Sequence, residues 1–206
     1  MKTNIYVDGF NFYYGAVRGT PYKWLNIAEM CRRLLPNDQI NSIKYFTALV
    51  HPRPKDPDQR VRQETYIRAL QTIPNLEVIY GTFLSHEVVM PQAGQPGKFA
   101  RVIKTEEKGS DVNIATHLLM DGFRDEYELA AVVSNDSDLL MPIKVVMNEL
   151  QKPVGILMPA RQGHPSQVLT AQATFVKKIR ERVLAQSQFG TTLQDKMGNI
   201  TKPASW

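Results

Sequence analysis

The feature that most constrains the fold is the run Leu129-Ala130-Ala131-Val132-Val133, which contains no polar residue and has the length of a strand. An unbroken apolar run of this length fits a strand covered on both faces, as in a parallel sheet whose crossover helices lie above and below it. It empties into Ser134-Asn135-Asp136-Ser137-Asp138, and an apolar segment of helical length follows, from about Leu139 to Leu150, with Pro142 tolerated in its first turn. Open α/β sheets hold their ligands at the carboxyl ends of their strands. One Asp or Ser is enough to cap a helix, so two carboxylates on this loop leave one to spare.

A second acidic strand end stands at the start of the chain. Asn4 to Val7 reads as a strand that ends at Asp8-Gly9-Phe10-Asn11, with Asn11 about one turn beyond Asp8. Taken alone, either acidic end is equally well explained by an Asp-Gly turn or a cap. The aromatic run Phe10, Phe12, Tyr13 and Tyr14 reads mostly as core packing, with base stacking as the other reading.

Next come a helix from Asn26 to Leu35, a strand from Ile43 to Val50 and the basic loop His51 to Lys55. A helix starting at Asp56-Pro57 runs to about Ile73, and a strand follows from Leu76 to Gly81. Residues 82–104 read as a hairpin-like excursion with β-like runs at Glu87 to Met90 and Phe99 to Ile103, and with Lys98, Arg101 and Lys104 on its returning arm. Lys104 to Asp111 opens a helix reaching about Met120, and Asp111 stands one turn before its apolar stripe, where a cap or a dipole interaction is the plain alternative. Val154 to Met158 reads as the last parallel strand. A basic loop from Arg161 to His164, a helical stretch from Gln167 to Ala173 and a terminal helix from Phe175 to Gln186 follow. The polar tail 187–206 is weakly patterned, and is expected either to be disordered or to dock on a partner.

The expected architecture is therefore α/β, a Rossmann-like three-layer α/β/α arrangement with a mainly parallel sheet, in one domain over 1–186. A formal charge of +5 and a pI near 9.3 favour an acidic partner, nucleic acid ahead of a membrane surface. The single cysteine, Cys31, allows no internal disulfide and no cysteine-rich zinc site, and it reads as a core residue in a reducing cytoplasm. No apolar stretch is long enough to cross a bilayer, and no signal-peptide pattern opens the chain.

In a parallel sheet with crossover helices, Asp8, Asp111, Asp136 and Asp138 come to one edge. Four carboxylates there repel one another unless a proton or a cation intervenes. Oxygen ligands select Mg²⁺ or Mn²⁺, and such an ion in a basic protein points to phosphoryl chemistry, in which water attacks phosphorus in line. Asn11 is then placed to orient a ligand or water, and Lys108 to offset charge on the scissile phosphate. The chain has no glycine-rich Walker loop.

The set Ile5-Tyr6-Val7-Asp8-Gly9-Phe10-Asn11, Lys108-Gly109-Ser110-Asp111-Val112 and Ser134-Asn135-Asp136-Ser137-Asp138-Leu139 resembles the NYN family of PIN-like metal-dependent ribonucleases, in particular its LabA-like bacterial branch. Gly155-Ile156 and Ser166-Gln167-Val168-Leu169 fit its last strand and closing helix. The resemblance implies a PIN-like fold, Mg²⁺ or Mn²⁺ held by Asp8, Asp111, Asp136 and Asp138, and cleavage of RNA phosphodiester bonds, with Asn11 also carried over. The family's third motif commonly has Gly where Asn135 stands. Candidate RNA contacts are Arg53, Lys55, Lys98, Arg101, Lys104 and Arg161. RNA is the expected partner, with no membrane, and a homo-oligomer is allowed. Two other readings stay open: a non-catalytic RNA-binding or regulatory module, and a haloacid-dehalogenase-like phosphatase. The phosphatase requires a second Asp where Phe10 stands.

Overall fold

The structure is a computed structural model that describes residues 1–159 and 165–206. The expected basic loop containing Arg161 lies outside the described residues. In chain order the elements begin with β1 (Lys2–Asp8), α1 (Gly9–Phe12) and a π-helical turn at Tyr13–Val17, then α2 (Ile27–Leu34), β2 (Gln39–Thr47), α3 (Gln59–Leu70) and β3 (Leu76–Tyr80). A ribbon of β4 (Thr82–Pro91) and β5 (Phe99–Lys108) leads into α4 (Ser110–Phe123) and β6 (Leu129–Val133). After a 3-10 turn at Ser137–Leu139 come α5 (Leu140–Asn148), β7 (Val154–Pro159), α6 (Gln167–Gln172), β8 (Phe175–Ile179) and α7 (Glu181–Gln186). The hairpin of β9 (Thr192–Asp195) and β10 (Gly198–Thr201) follows.

Six strands form one sheet in the order β3-β2-β1-β6-β7-β8, and all five pairings are parallel. Alternation along the strands separates two cores. Ile5, Val7, Ala131 and Val133 face a layer that includes α2 and α7, while Tyr6, Ala130 and Val132 face α4, α5 and α6. The three-layer α/β/α expectation holds. Every residue of β6 is buried, as its unbroken apolar run requires. Cys31 is fully buried in the first core, where burial pushes its thiol up to about 12.

Three elements depart from the expectation. Residues 175–186 are a strand and a helix rather than one helix, so β7 is not the last parallel strand. Phe175, Val176 and Ile179 have helical spacing, but pairing with β7 overrides it, and the exposed Lys177 and Lys178 suit a sheet edge. The excursion is a longer ribbon than its two apolar runs indicate, and it carries Glu106, Glu107 and Lys108 as strand residues, so α4 starts only at Ser110. Finally, the tail is folded onto its own domain. Asp195 accepts two hydrogen bonds from Arg68 of α3 (2.6 and 2.5 Å), and Ile200 is buried with Trp24 and Ala69. The ring of Trp206 lies 5.8 Å from that of Tyr66 and 6.4 Å from that of Trp24.

The sequence pattern also conceals a buried polar group. Lys44 of β2 places its ammonium 2.6 and 2.8 Å from the carboxylate of Asp121, which also accepts from the Tyr6 hydroxyl at 2.7 Å. The side chain of Asp121 is 3% exposed and that of Lys44 is 12% exposed. A buried ion pair that loses one partner leaves an uncompensated charge, so Asp121→Leu is expected to destabilise the fold by about 3 kcal/mol. The double change with Lys44→Met should restore most of that loss. Urea unfolding with an unchanged slope is the check.

Candidate active site

The sheet order reverses direction at β1: the chain moves from β1 outward to β2 on one side and later returns to place β6 on the other. The crevice at such a switch point is where open α/β sheets bind ligands. Val7 is paired with Val133, which brings the next residues, Asp8 and Ser134, side by side. Ser134 Oγ donates to Asp8 Oδ2 at 3.1 Å, and Asn11 N donates to Asp8 Oδ1 at 2.9 Å. Asp8 is thus both the cap of α1 and a buried acid at the cleft floor. Gly9 is required beside it, because a Cβ there would lie 2.6 Å from the Phe46 carbonyl oxygen and 2.8 Å from the Tyr45 ring.

The second acidic loop is tied to the first. Asn135 N donates to Asn11 Oδ1 at 3.0 Å, and Ser166 N donates to Asn135 Oδ1 at 2.8 Å. Asp136 N donates to Ser134 Oγ at 3.1 Å, while Asp136 Oδ1 accepts from Asp138 N at 3.0 Å. Asp136 therefore caps the 3-10 turn with one oxygen and keeps Oδ2 for the cleft. The cap and the functional reading are compatible, because a carboxylate has two oxygens.

The third contribution comes from the start of α4. Asp111 is in its first turn but does not cap it: Gly109 holds the cap position at φ +100, and Glu107 Oε1 accepts from Ser110 N at 3.2 Å and from Ser110 Oγ at 2.9 Å. Asp8, Asn11, Asp111, Asp136 and Glu107 line one cleft of about 570 Å³. Glu107 is not among the residues expected from sequence, where the acids before Gly109 fit the approach to a helix. A carboxylate two residues before a Gly-Ser helix start was the available signal.

The acids of the group repel one another. Burial pushes Asp8 up to about 6, with the charges of Asp111 and Asp136 adding to it, against the hydrogen bonds from Asn11 and Ser134 that pull it down. Asp111, although open to solvent, is also raised, first by desolvation and then by Asp136, Glu107 and Asp138. Among the described residues, no cation forms an ion pair with any of the cleft acids. Nor, among the described residues, do three or more His, Cys, Asp or Glu side chains come together in a group that could hold a metal ion as they stand. The donor chemistry nevertheless fits a hard divalent cation: only oxygen ligands, unoffset negative charge and an open cleft.

The remaining expected site residues lie elsewhere. Asp138 is exposed and does not line the cleft, although Asp111 feels its charge. Lys108 is not in the cleft either, since its ammonium is 3.1 Å from Glu106. On the ribbon, Arg101 pairs with Glu87 and Lys104 with Glu106, and Lys98 is exposed near its tip. These three are therefore separate from the acid cleft. Arg53 and Lys55 line a second cavity of about 660 Å³, which shares Phe10 and Tyr14 with the first. The aromatic run is not mainly core: only Phe12 is buried, while Tyr13 and Tyr14 are 37% and 44% exposed. No helix is long and apolar enough to cross a membrane among the described residues.

Comparison with known proteins gives the family and the fold. The NYN domain family matches residues 2–180. A Pseudomonas putida protein named 6-hydroxy-3-succinoylpyridine 3-monooxygenase HspA is 29% identical over 239 residues, covering 100% of this chain and 75% of that protein. A Vibrio parahaemolyticus protein of unknown function has the same fold, with a TM-score of 0.57 at 18% identity, over 87% of this chain and 93% of that one.

Because the folded value of Asp8, about 6, exceeds its ordinary 3.8, its burial penalty is absent at low pH, grows as pH rises from 3.8 to about 6, and is complete above that. Without divalent cations, Asp8→Asn is expected to raise stability at pH 8 by about 1–3 kcal/mol. Near pH 4 the gain should vanish. Denaturant titrations in chelator at both pH values test this.

Proposed function

The chain belongs to the NYN domain family, which places it among PIN-like nuclease domains, and on that premise we propose that it is a metal-dependent endoribonuclease. The observation that carries this reading is the convergence of Asp8, Asp111 and Asp136 on one open cleft with their charges unoffset. Those three would hold Mg²⁺ or Mn²⁺, with Glu107 beside them. A bound divalent cation supplies charge neutralisation and lowers the pKa of water, the chemistry that in-line hydrolysis of a phosphodiester needs.

The chain's own residues have separable parts. Ser134 and the Asn11 amide hold the Asp8 carboxylate in place. Asn11 uses Oδ1 to fasten Asn135, which leaves Nδ2 as the end able to donate to a phosphate oxygen or to water. Asp138 acts through its backbone, which orients Asp136. The product expected is a 5′-phosphate end. Phe10 packs edge-on against Phe83 at 5.6 Å, so no acid stands where a haloacid-dehalogenase-like phosphatase requires one.

A second reading is favoured by the name of the Pseudomonas putida relative together with the aromatic, cation-lined cavity: oxygenation of a hydroxylated heteroaromatic acid. Dioxygen uptake on adding 6-hydroxy-3-succinoylpyridine and an electron donor, without RNA cutting, is the result that would establish it.

Labelled RNA incubated with purified protein should be cut with Mn²⁺ or Mg²⁺ and spared in chelator. Asp136→Asn should reduce the rate about 100-fold or more, the usual scale for losing a group that orders the reacting centre. Asp138→Asn, whose backbone contact survives, should lose clearly less at limiting metal. Cutting that persists in chelator, or in Asp136→Asn, would refute the mechanism.

A further inference from the structure

The second cavity opens next to the acid cleft and is built from opposite ends of the chain. Tyr13 and Tyr14 come from the π-helical turn, Tyr45 from β2, and Trp206 from the segment after the tail hairpin. π-Helical turns cluster at functional sites, and this one carries two exposed tyrosines. The rings of Tyr13 and Tyr14 meet edge-on at 5.3 Å, and Arg18 lies over the Tyr14 ring at 5.3 Å.

The charge of the lining is one-sided. Arg18, Lys23, Arg53, Lys55 and Arg62 face a single acid, Asp56, among the described lining residues. Asp56 is engaged at 2.6 Å by Arg62, so it does little to offset Lys23, Arg53 and Lys55. The loop bearing Arg53 and Lys55 is held by reciprocal backbone bonds between Arg53 and Asp56. Flat rings beside fixed cations are complementary to a flat aromatic ring that carries an anion. A nucleotide is that combination, and base–aromatic stacking is tolerant of sequence but sensitive to ring size.

We propose that this cavity is a nucleotide-holding pocket in which the rings of Tyr13, Tyr14 and Trp206 enclose the base next to the scissile bond while Arg53 and Lys55 take one of its phosphates. The proposal rests on the acid cleft being the cutting site. Phe10 and Tyr14 line both cavities, so a nucleotide seated here would lie beside the acid cleft. The pocket then decides which bonds are cut, and the tail hairpin supplies part of that choice by holding Trp206.

Binding is measured on the full chain in chelator, with the four nucleoside 5′-monophosphates and a hexanucleotide RNA as probes. Trp24 is fully buried, so the fluorescence response comes from Trp206 and should be lost in Trp206→Phe if the base stacks there. Tyr14→Ala and Lys55→Ala, both at exposed positions, should each weaken hexanucleotide binding about tenfold. With Mn²⁺, Trp206→Ala should redistribute the cut sites in a random-sequence RNA. Unchanged affinity in Tyr14→Ala and Lys55→Ala, or an unchanged cut-site distribution, would overturn the pocket. Tighter binding of salicylate than of any nucleotide would also overturn it, in favour of an aromatic acid. If the variants weaken binding in chelator but wild-type protein never cuts RNA, the nucleotide site stands and the cutting falls. If wild-type protein cuts and the variants change nothing, the reverse holds.

Discussion

The hydrogen bond from Ser134 to Asp8 joins two strands that are 126 residues apart in sequence and adjacent in the sheet. It forms because β1 and β6 pair in parallel with Val7 opposite Val133, so the first polar residue after each apolar run emerges at the same height. A slip of one residue would turn Tyr6 and Val132 into the opposite core and carry Asp8 off the cleft floor. The apolar alternation that divides the two cores is thus the same constraint that assembles the acids. Packing against α2 on one face and α4 on the other makes the register costly to change, and the site inherits that rigidity.

This arrangement holds Asp8 in tension. Its two accepted hydrogen bonds favour the charged form, whereas burial and the charges of Asp111 and Asp136 oppose it more strongly. Within the fold no ammonium or guanidinium of the described residues relieves the cleft, although Lys104 and Lys108 lie nearby in sequence. Both are committed to Glu106, which they hold down at about 2. A cleft that concentrates negative charge while neighbouring lysines are engaged elsewhere suits a mobile divalent ion better than a permanent ion pair. The same tension sets stability against the charge of the cleft, since a neutral residue at position 8 removes both the burial penalty and one of the acids.

Much of this was legible because it depends on short-range pattern. The run Leu129 to Val133 announces a doubly covered strand, and acids at two strand ends and one helix start are readable from the chain itself. Glu107 was not legible, because its place in the cleft comes from β5 running on to Lys108 before α4 begins, and propensity places the helix start too early. Nor was the engagement of Lys108 with Glu106, which alternation on a ribbon creates and a motif does not record. Strand β8 was hidden because edge pairing with β7 prevails over a spacing that suits a helix. The Lys44–Asp121 pair escaped for a related reason: a lysine inside an apolar strand looks solvent-facing until the helix that covers it supplies a carboxylate.

The tail shows how little polarity says about order. Residues 187–206 lack a strong apolar pattern, yet a few contacts are sufficient to fasten them. Ser187 O accepts from Asn26 N, Trp24 Nε1 donates to Gly190 O, and Arg68 grips Asp195. Each of those partners belongs to the main body of the domain, so the tail is ordered by polar bonds over its first half, and by buried Ile200 and the ring of Trp206 over its second. The consequence reaches the cleft region. With Trp206 set against Tyr66, the basic loop after β2 gains an opposing aromatic wall, and the space between them becomes a cavity instead of an open surface. The π-helical turn at Tyr13 contributes the facing rings, and Phe10 and Tyr14 stand where the two cavities meet. The residues that follow Asp8 therefore serve both sides: Asn11 fastens the acidic loops, while the aromatics around it shape what can lie beside them.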